Sequence, residues 1–242
     1  MGSSRLPGKV LQPVDGRPML LRQVERVRSS RLVDEVVVAT TTNPQDDEIV
    51  EICQRHSVTV FRGSEEDVLG RIAGLVSHHS AEVHVECFGD SPLVDPQIVD
   101  EFVGYLLKNS SEVDYVSSAL RTTYPPGLEV VVYWGWVLPE VNGLVGANDP
   151  MREHAGFNAT RFPERIRVRA LEAPARFSEP DTYLEVDTLE DLEVVRAVFA
   201  NFHGTDGAFG LASILDFMRA HPELGTANRN VERRWKKYRS DA

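Results

Sequence analysis

Cysteine is scarce. Only Cys53 and Cys87 occur among the 242 residues, and their separation matches no metal-ligand spacing. They read as small core residues of a reducing compartment, with a disulfide between them as the other reading. Long apolar runs are also missing. None approaches the ~20 residues that a membrane-spanning helix requires, and no signal peptide precedes the first helical pattern. A cytoplasmic protein with no membrane partner is therefore expected. Positive charge is the third shortage: Lys and Arg number 26 against 37 Asp and Glu, giving a net charge of −11 and a pI near 5.1. This balance excludes a broadly basic face for nucleic acid. A small anion site remains compatible with it, because local charge can differ in sign from the total. Internal repeats and low-complexity tracts are absent as well.

What is present is ordinary globular composition, 42% hydrophobic and 26% charged, in a chain long enough to bury a sizeable core. Residues 18–30 carry Met19, Leu20, Gln23, Val24 and Val27 at helical spacing, which predicts an amphipathic helix. Residues 34–39 form a continuous β-branched run, as in a strand buried on both faces. Helix and strand then alternate: helix 45–56, strand 58–61, a helix from about Glu65, strand 84–88, helix 95–108 with Pro96 in its first turn, strand 114–118. Short connections between such elements predict a three-layer α/β/α architecture, Rossmann-like, with a mostly parallel sheet. The second half is less regular. It holds strands at 128–133 and 166–171, a helical stretch at 150–160, a capping-box pattern at Thr188–Asp191 before a helix reaching Phe202, and a last helix at 211–220. We expect a single domain over 1–242, with 128–160 as an excursion for sugar binding or dimerisation and 203–242 as a C-terminal helical extension. The basic tail Arg233-Arg234-Trp235-Lys236-Lys237 reads as a surface element.

The segment Met1-Gly2-Ser3-Ser4-Arg5-Leu6-Pro7-Gly8-Lys9 carries the most chemistry. Small residues let backbone N–H groups approach phosphates, and Arg and Lys neutralise them. The Gly-x4-Gly-Lys-Ser/Thr spacing of a P-loop is absent. A disordered basic terminus is the alternative, with equal weight on composition alone. Asp90 ends a predicted parallel strand, the edge at which open α/β sheets bind ligands, and a carboxylate there suits Mg²⁺. Asp187 ends a short apolar stretch before a helix, where a plain N-cap is the commoner role. Asp95 reads as the cap of its own helix.

The first segment resembles the signature of the sugar cytidylyltransferases: CMP-KDO synthetase, acylneuraminate cytidylyltransferase and, most closely, the spore coat polysaccharide biosynthesis protein F group. The likeness continues through Asp34–Thr40, Phe61–Leu69, Gly89–Pro96, Arg152-Glu153-His154, Glu185–Leu192 and His221–Leu224, in the family's order along nearly the whole chain. It implies a nucleotide-diphospho-sugar transferase fold and a loop that binds the triphosphate of CTP. Arg5 and Lys9 would hold phosphates, Gly2, Ser3 and Ser4 would supply close contacts, and Asp90 and Asp187 would bind Mg²⁺. Glu129 would line the sugar pocket, and Glu153-His154 would face the sugar or assist the base, with a surface helix end as the equal alternative. The family's Val-Thr after Arg-Glu-His is Ala155-Gly156 here, and a second acidic position is Val131, so the sugar stays open. The resemblance further implies a homodimer. Tyr124, Tyr133, Trp134 and Trp136 read as core or dimer interface, and His78-His79 as helix surface.

The family's first strand, which ends in Gln-Ala-Arg, is not in this sequence. It would be central, and losing about five buried apolar side chains at ~1.5–3 kcal/mol each rivals the net stability of a domain. A late start codon or a shortened chain is therefore expected. The implied activity is transfer of CMP from CTP to an acidic or modified sugar with release of pyrophosphate. Two rivals are a non-catalytic nucleotide-binding module and a nucleotide-sugar glycosyltransferase. The second fits poorly, because Asp90-Ser91-Pro92 departs from the Asp-x-Asp such enzymes carry at a strand end.

Overall fold

The computed structural model of the protein describes residues 1–205 and 208–238; the remaining residues of the expected extension, and the side chains of Lys237 and Tyr238, lie outside that description. A short hairpin, β1 (Pro13–Val14) with β2 (Arg17–Pro18), leads into α1 (Met19–Arg28). Then come β3 (Val37–Thr41), α2 (Asp47–Arg55), β4 (Thr59–Gly63), α3 (Val68–His79), β5 (Val83–Glu86), α4 (Pro96–Lys108) and β6 (Tyr115–Ser117). The second half supplies β7 (Val131–Trp134), α5 (Val137–Leu144), β8 (Val168–Ala170), α6 (Leu189–Asn201), α7 (Leu211–Ala220) and α8 (Pro222–Ala227).

The helices form where the apolar period places them. In α1, Met19, Leu20, Leu21, Val24 and Val27 are buried, together with Arg26, which is 1% exposed. That guanidinium is held by the carbonyls of Val94 and Phe209 and lies 4.2 Å from the Phe209 ring. Asp95 caps α4 by accepting from Gln97 N at 2.8 Å, and its other oxygen accepts from Leu211 N at the start of α7. Thr188 and Asp191 form the capping box of α6.

The strands make separate ladders. β3 pairs with β4 in parallel, and β5, β7, β6 and β8 form a four-stranded sheet in that order. The second sheet is mixed rather than mostly parallel. β6 and β8 are parallel, but β7 runs antiparallel to both β5 and β6. The cause is the connection: no helix lies between Ser117 and Val131, and a parallel return needs a crossover element. The expected helix at 150–160 is two 3₁₀ turns, Pro150–Glu153 and Gly156–Arg161. The buried Asn158 side chain donates to the carbonyls of Met151 and His154, which a continuous helix would use itself.

The largest core cluster joins α4, α6 and α7 to the sheet through Phe102, Leu106, Val116, Val132, Val195 and Ile214. Tyr115 and Tyr133 stack in a second cluster at 5.7 Å. Tyr124 and Tyr133 are core residues, whereas Trp136 is exposed. Cys53 is buried, Cys87 is half-buried, and both are free thiols, so the disulfide reading falls.

Candidate active site

Three chain segments far apart in sequence meet beyond the end of β5: the loop at residues 1–9, the turn at Asp90 and the segment before α6. Gly8 makes the loop possible. Its φ of 67° lies in the left-handed region, which glycine enters without the Cβ penalty, and the chain turns there into a 3₁₀ turn at Lys9–Leu11. Lys9 is thereby aimed inward. Its Nζ donates to the Val186 carbonyl at 2.7 Å, to Asp187 Oδ1 at 3.1 Å and to Asp90 Oδ2 at 3.3 Å. Arg5 Nη2 meets the other Asp187 oxygen at 2.5 Å. The backbone closes the same junction, with Val186 N donating to Asp90 O at 2.8 Å.

Asp187 is not the helix cap. Thr188 has that place, and the buried Asp191 carboxylate accepts from the N–H groups of both Asp187 and Thr188 at 3.0 and 2.9 Å. The Asp187 side chain is left to the cations of the loop. Asp90 and Asp187 therefore converge on one cation position, held by the Lys9 ammonium. Among the described residues no group of three or more His, Cys, Asp or Glu side chains is arranged to hold a metal. Two carboxylates nevertheless suit Mg²⁺, which keeps waters and substrate phosphates as its other ligands.

A second pair of carboxylates lies beside the first. Glu129 is 6% exposed and accepts from Gly127 N at 2.7 Å. Gly127 has φ near +100°, and a Cβ there would come within 2.4 Å of Glu185 N. Only glycine lets this turn press against 184–185, where Leu184 N donates to Pro126 O. Glu185, 7% exposed, receives Trp235 Nε1 at 2.7 Å and Arg233 Nη1 at 3.4 Å. Burial, followed by the charges of Glu129 and Asp90, pushes its carboxyl up to about 8. Sequence reading passed over Glu185. Its one signal was position, two residues before Asp187 on the same extended segment. The half-buried Glu86 on β5 is likewise pushed up to about 7 by burial, partly opposed by the Tyr133 hydroxyl and the Gly156 N–H.

The structure thus brings together Arg5, Lys9, Asp90 and Asp187, with Glu129 alongside through Glu185. Ser3 Oγ accepts from Leu6 N, Ser4 is exposed, and Gly2 is exposed beside Glu65. Glu153 and His154 end the first 3₁₀ turn. Glu153 is exposed and His154 half-buried, and their neighbours Arg152 and Gly156 pack on Asp67 and Glu86 respectively. The tail expected at the surface is anchored instead. Arg233 is 5% exposed, pairs with Asp191 at 2.7 Å and stacks on Tyr183. A buried guanidinium persists when a carboxylate and a ring face replace its water, and this depends on where 183–191 lies in space.

A cationic loop faces two aspartates beyond the end of β5, at the edge of the four-stranded sheet, and such a set of cations and carboxylates suits an anionic ligand with a metal ion. Residues 1–131 match the cytidylyltransferase family. The spore coat polysaccharide biosynthesis protein SpsF of Bacillus subtilis (strain 168) is 31% identical over 230 residues, 93% of this chain and 93% of that protein. A solved cytidylyltransferase from Leptospira borgpetersenii serovar Hardjo-bovis (strain JB197) matches with a TM-score of 0.87 at 25% identity, covering 96% of this chain and 95% of that one. CMP:2-keto-3-deoxy-manno-octonic acid synthetase complexed with CTP shares the fold, with a TM-score of 0.62 at 20% identity over 83% of this chain and 95% of that one. The chain belongs to the cytidylyltransferase family. No helix of the described residues is long and apolar enough to cross a membrane.

Proposed function

We propose that the protein transfers CMP from CTP to an acidic or modified sugar for surface polysaccharide, releasing pyrophosphate, with Mg²⁺ as cofactor. The observation that carries the proposal is the convergence of Lys9, Asp90 and Asp187, with Arg5 on the far side of Asp187. Family membership supplies the nucleotide. The names of SpsF and of the synthetase complexed with CTP support a sugar acceptor.

On this reading the triphosphate lies along residues 2–9. Its arrival gives Arg5 and Lys9 a partner richer in negative charge than the two aspartates, and charge-assisted bonds to phosphate are strong. Freed of those cations, Asp90 and Asp187 would hold Mg²⁺, which supplies Lewis-acid polarisation of the phosphate when bound. A sugar hydroxyl attacks the α-phosphorus in line, the bond to the bridging oxygen breaks, and Arg5 and Lys9 stabilise the charge on the departing pyrophosphate. Glu129 and Glu185 stand on the acceptor side, where carboxylates accept from sugar hydroxyls. The gain comes mainly from positioning and preorganised charge. A homodimer through residues 128–160 belongs to the same reading, and that stretch exposes Trp136 and Phe157.

Thermal stabilisation by nucleotides with Mg²⁺ tests it. CTP is expected to raise the midpoint where ATP, GTP and UTP do not, since a ligand of the native state adds RT ln(1 + [L]/Kd). Asp90→Asn should abolish pyrophosphate release while the fold persists. Full turnover in that variant would remove the metal assignment.

A further inference from the structure

The C-terminal segment crosses the N-terminal loop. Arg234 Nη1 donates to Ser4 Oγ at 3.1 Å, and Arg5 donates to the Glu232 carbonyl. The segment is fixed from beneath by its own buried residues. Asn228 and Arg233, 1% and 5% exposed, both hold Asp191, the carboxylate that also receives the Asp187 and Thr188 N–H groups. Trp235 binds Glu185, and Lys236 binds the Tyr183 hydroxyl. One stretch of chain therefore touches the loop, the support of Asp187 and the acceptor-side carboxylate.

The charges around Ser4 are the informative feature. A protein of net charge −11 brings Arg234 onto a short loop that already carries Arg5 and Lys9, with Arg233 anchoring the segment behind it. Three of the four meet carboxylates: Arg5 and Lys9 on Asp187, Arg233 on Asp191. Arg234 is exposed and rests on a neutral hydroxyl. A guanidinium gains far more from a phosphate than from a hydroxyl, and holding two guanidinium groups near one loop is unfavourable until an anion separates them.

We infer that Arg234 is a third phosphate-binding cation of the nucleotide site, carried to Ser4 by the C-terminal segment, and that Arg233 is the positioning residue that anchors this segment. The inference rests on the nucleotide-transfer reading of the site. In the bound state Arg234 exchanges the Ser4 hydroxyl for the β- or γ-phosphate. Three cations rather than two then share the charge of the triphosphate.

Calorimetric titration of the whole protein tests this, with CTP, CMP and tripolyphosphate as probes in Mg²⁺ buffer. Arg234→Ala removes a bond to a charged partner, worth about a 10- to 100-fold loss of affinity. That loss is expected for CTP and tripolyphosphate, with CMP changed less than about twofold. Arg234→Lys should restore part of the loss, because the charge returns without the fork. The exposed side chain predicts an unchanged melting midpoint in both variants. Unchanged CTP affinity in Arg234→Ala would overturn the inference, as would equal losses for CTP and CMP, the mark of a structural role. If the wild type binds tripolyphosphate through Arg234 but does not prefer CTP, the nucleotide assignment fails and this one stands. If it binds neither probe, both fail.

Discussion

The two ends of the site handle charge in opposite ways. At the phosphate end every carboxylate faces a cation: Asp187 meets Arg5 and Lys9, and Asp90 meets Lys9. At the end proposed for the acceptor, Glu129 and Glu185 are nearly excluded from water, and burial and the Glu129 charge push Glu185 up to about 8 even with Arg233 at 3.4 Å. The first arrangement is stable as it stands and exchanges its ion pairs for a ligand's. The second carries an electrostatic cost, because two buried like charges cannot both ionise cheaply.

The sharpest way to break this comparison is at Asp187. Asp187→Asn keeps the backbone anchored by Asp191, so stability should hold while turnover falls by about 10³-fold or more, the scale of losing a transition-state charge partner; parallel kcat and melting measurements check this. Arg233→Met attacks the support instead. It strips Asp191 and Glu185 of a buried cation, and an unpaired buried charge costs about 3–5 kcal/mol, which urea unfolding would read. Lys9→Ala should lower kcat/KM by about 10²-fold and removes the cation that competes for the position between Asp90 and Asp187, so the variant should need less Mg²⁺ for half-maximal rate. The smallest effect concerns Glu185. Its carboxyl ordinarily titrates near 4.5 and here near 8, so the folded protein binds more protons than the unfolded chain between those values. Stability must therefore fall as pH rises from about 5 to 8 and level off above. Glu185→Gln should flatten that slope, measured as melting midpoint against pH. A slope that survives in the variant would assign it to another group, Glu86 first.

The phosphate end was the legible end. A run of small and basic residues and a capping box are local patterns, and each falls where its pattern predicts, whereas Asp90, expected to end a parallel strand, lies beyond a β5 that stops at Glu86 and pairs antiparallel with β7. Resemblance chose between cap and ligand for Asp187, and the structure gives the cap to Thr188. The acceptor end was barely legible. Glu129 drew notice, but Glu185 gained its partner only when Gly127 brought residues 125–129 against 184–185. Arg233 read as a surface cation because nothing local reveals that Asp191, forty-two positions earlier, faces it. The 150–160 stretch had helical composition, yet the Asn158 amide took its carbonyls and divided it into two turns.

The sequence by itself determined the alternation of helix and strand up to residue 118, the loop that turns at Gly8, the caps at Asp95 and Thr188, and the family. These depend on periodicity, on backbone freedom and on hydrogen bonds spanning a few residues. Only the tertiary structure decided the direction of β7, the burial of Arg233, the joining of residues 228–236 to the loop and the charge state of Glu185. Each depends on distances between segments remote along the chain, and burial and charge coupling are properties of those distances alone.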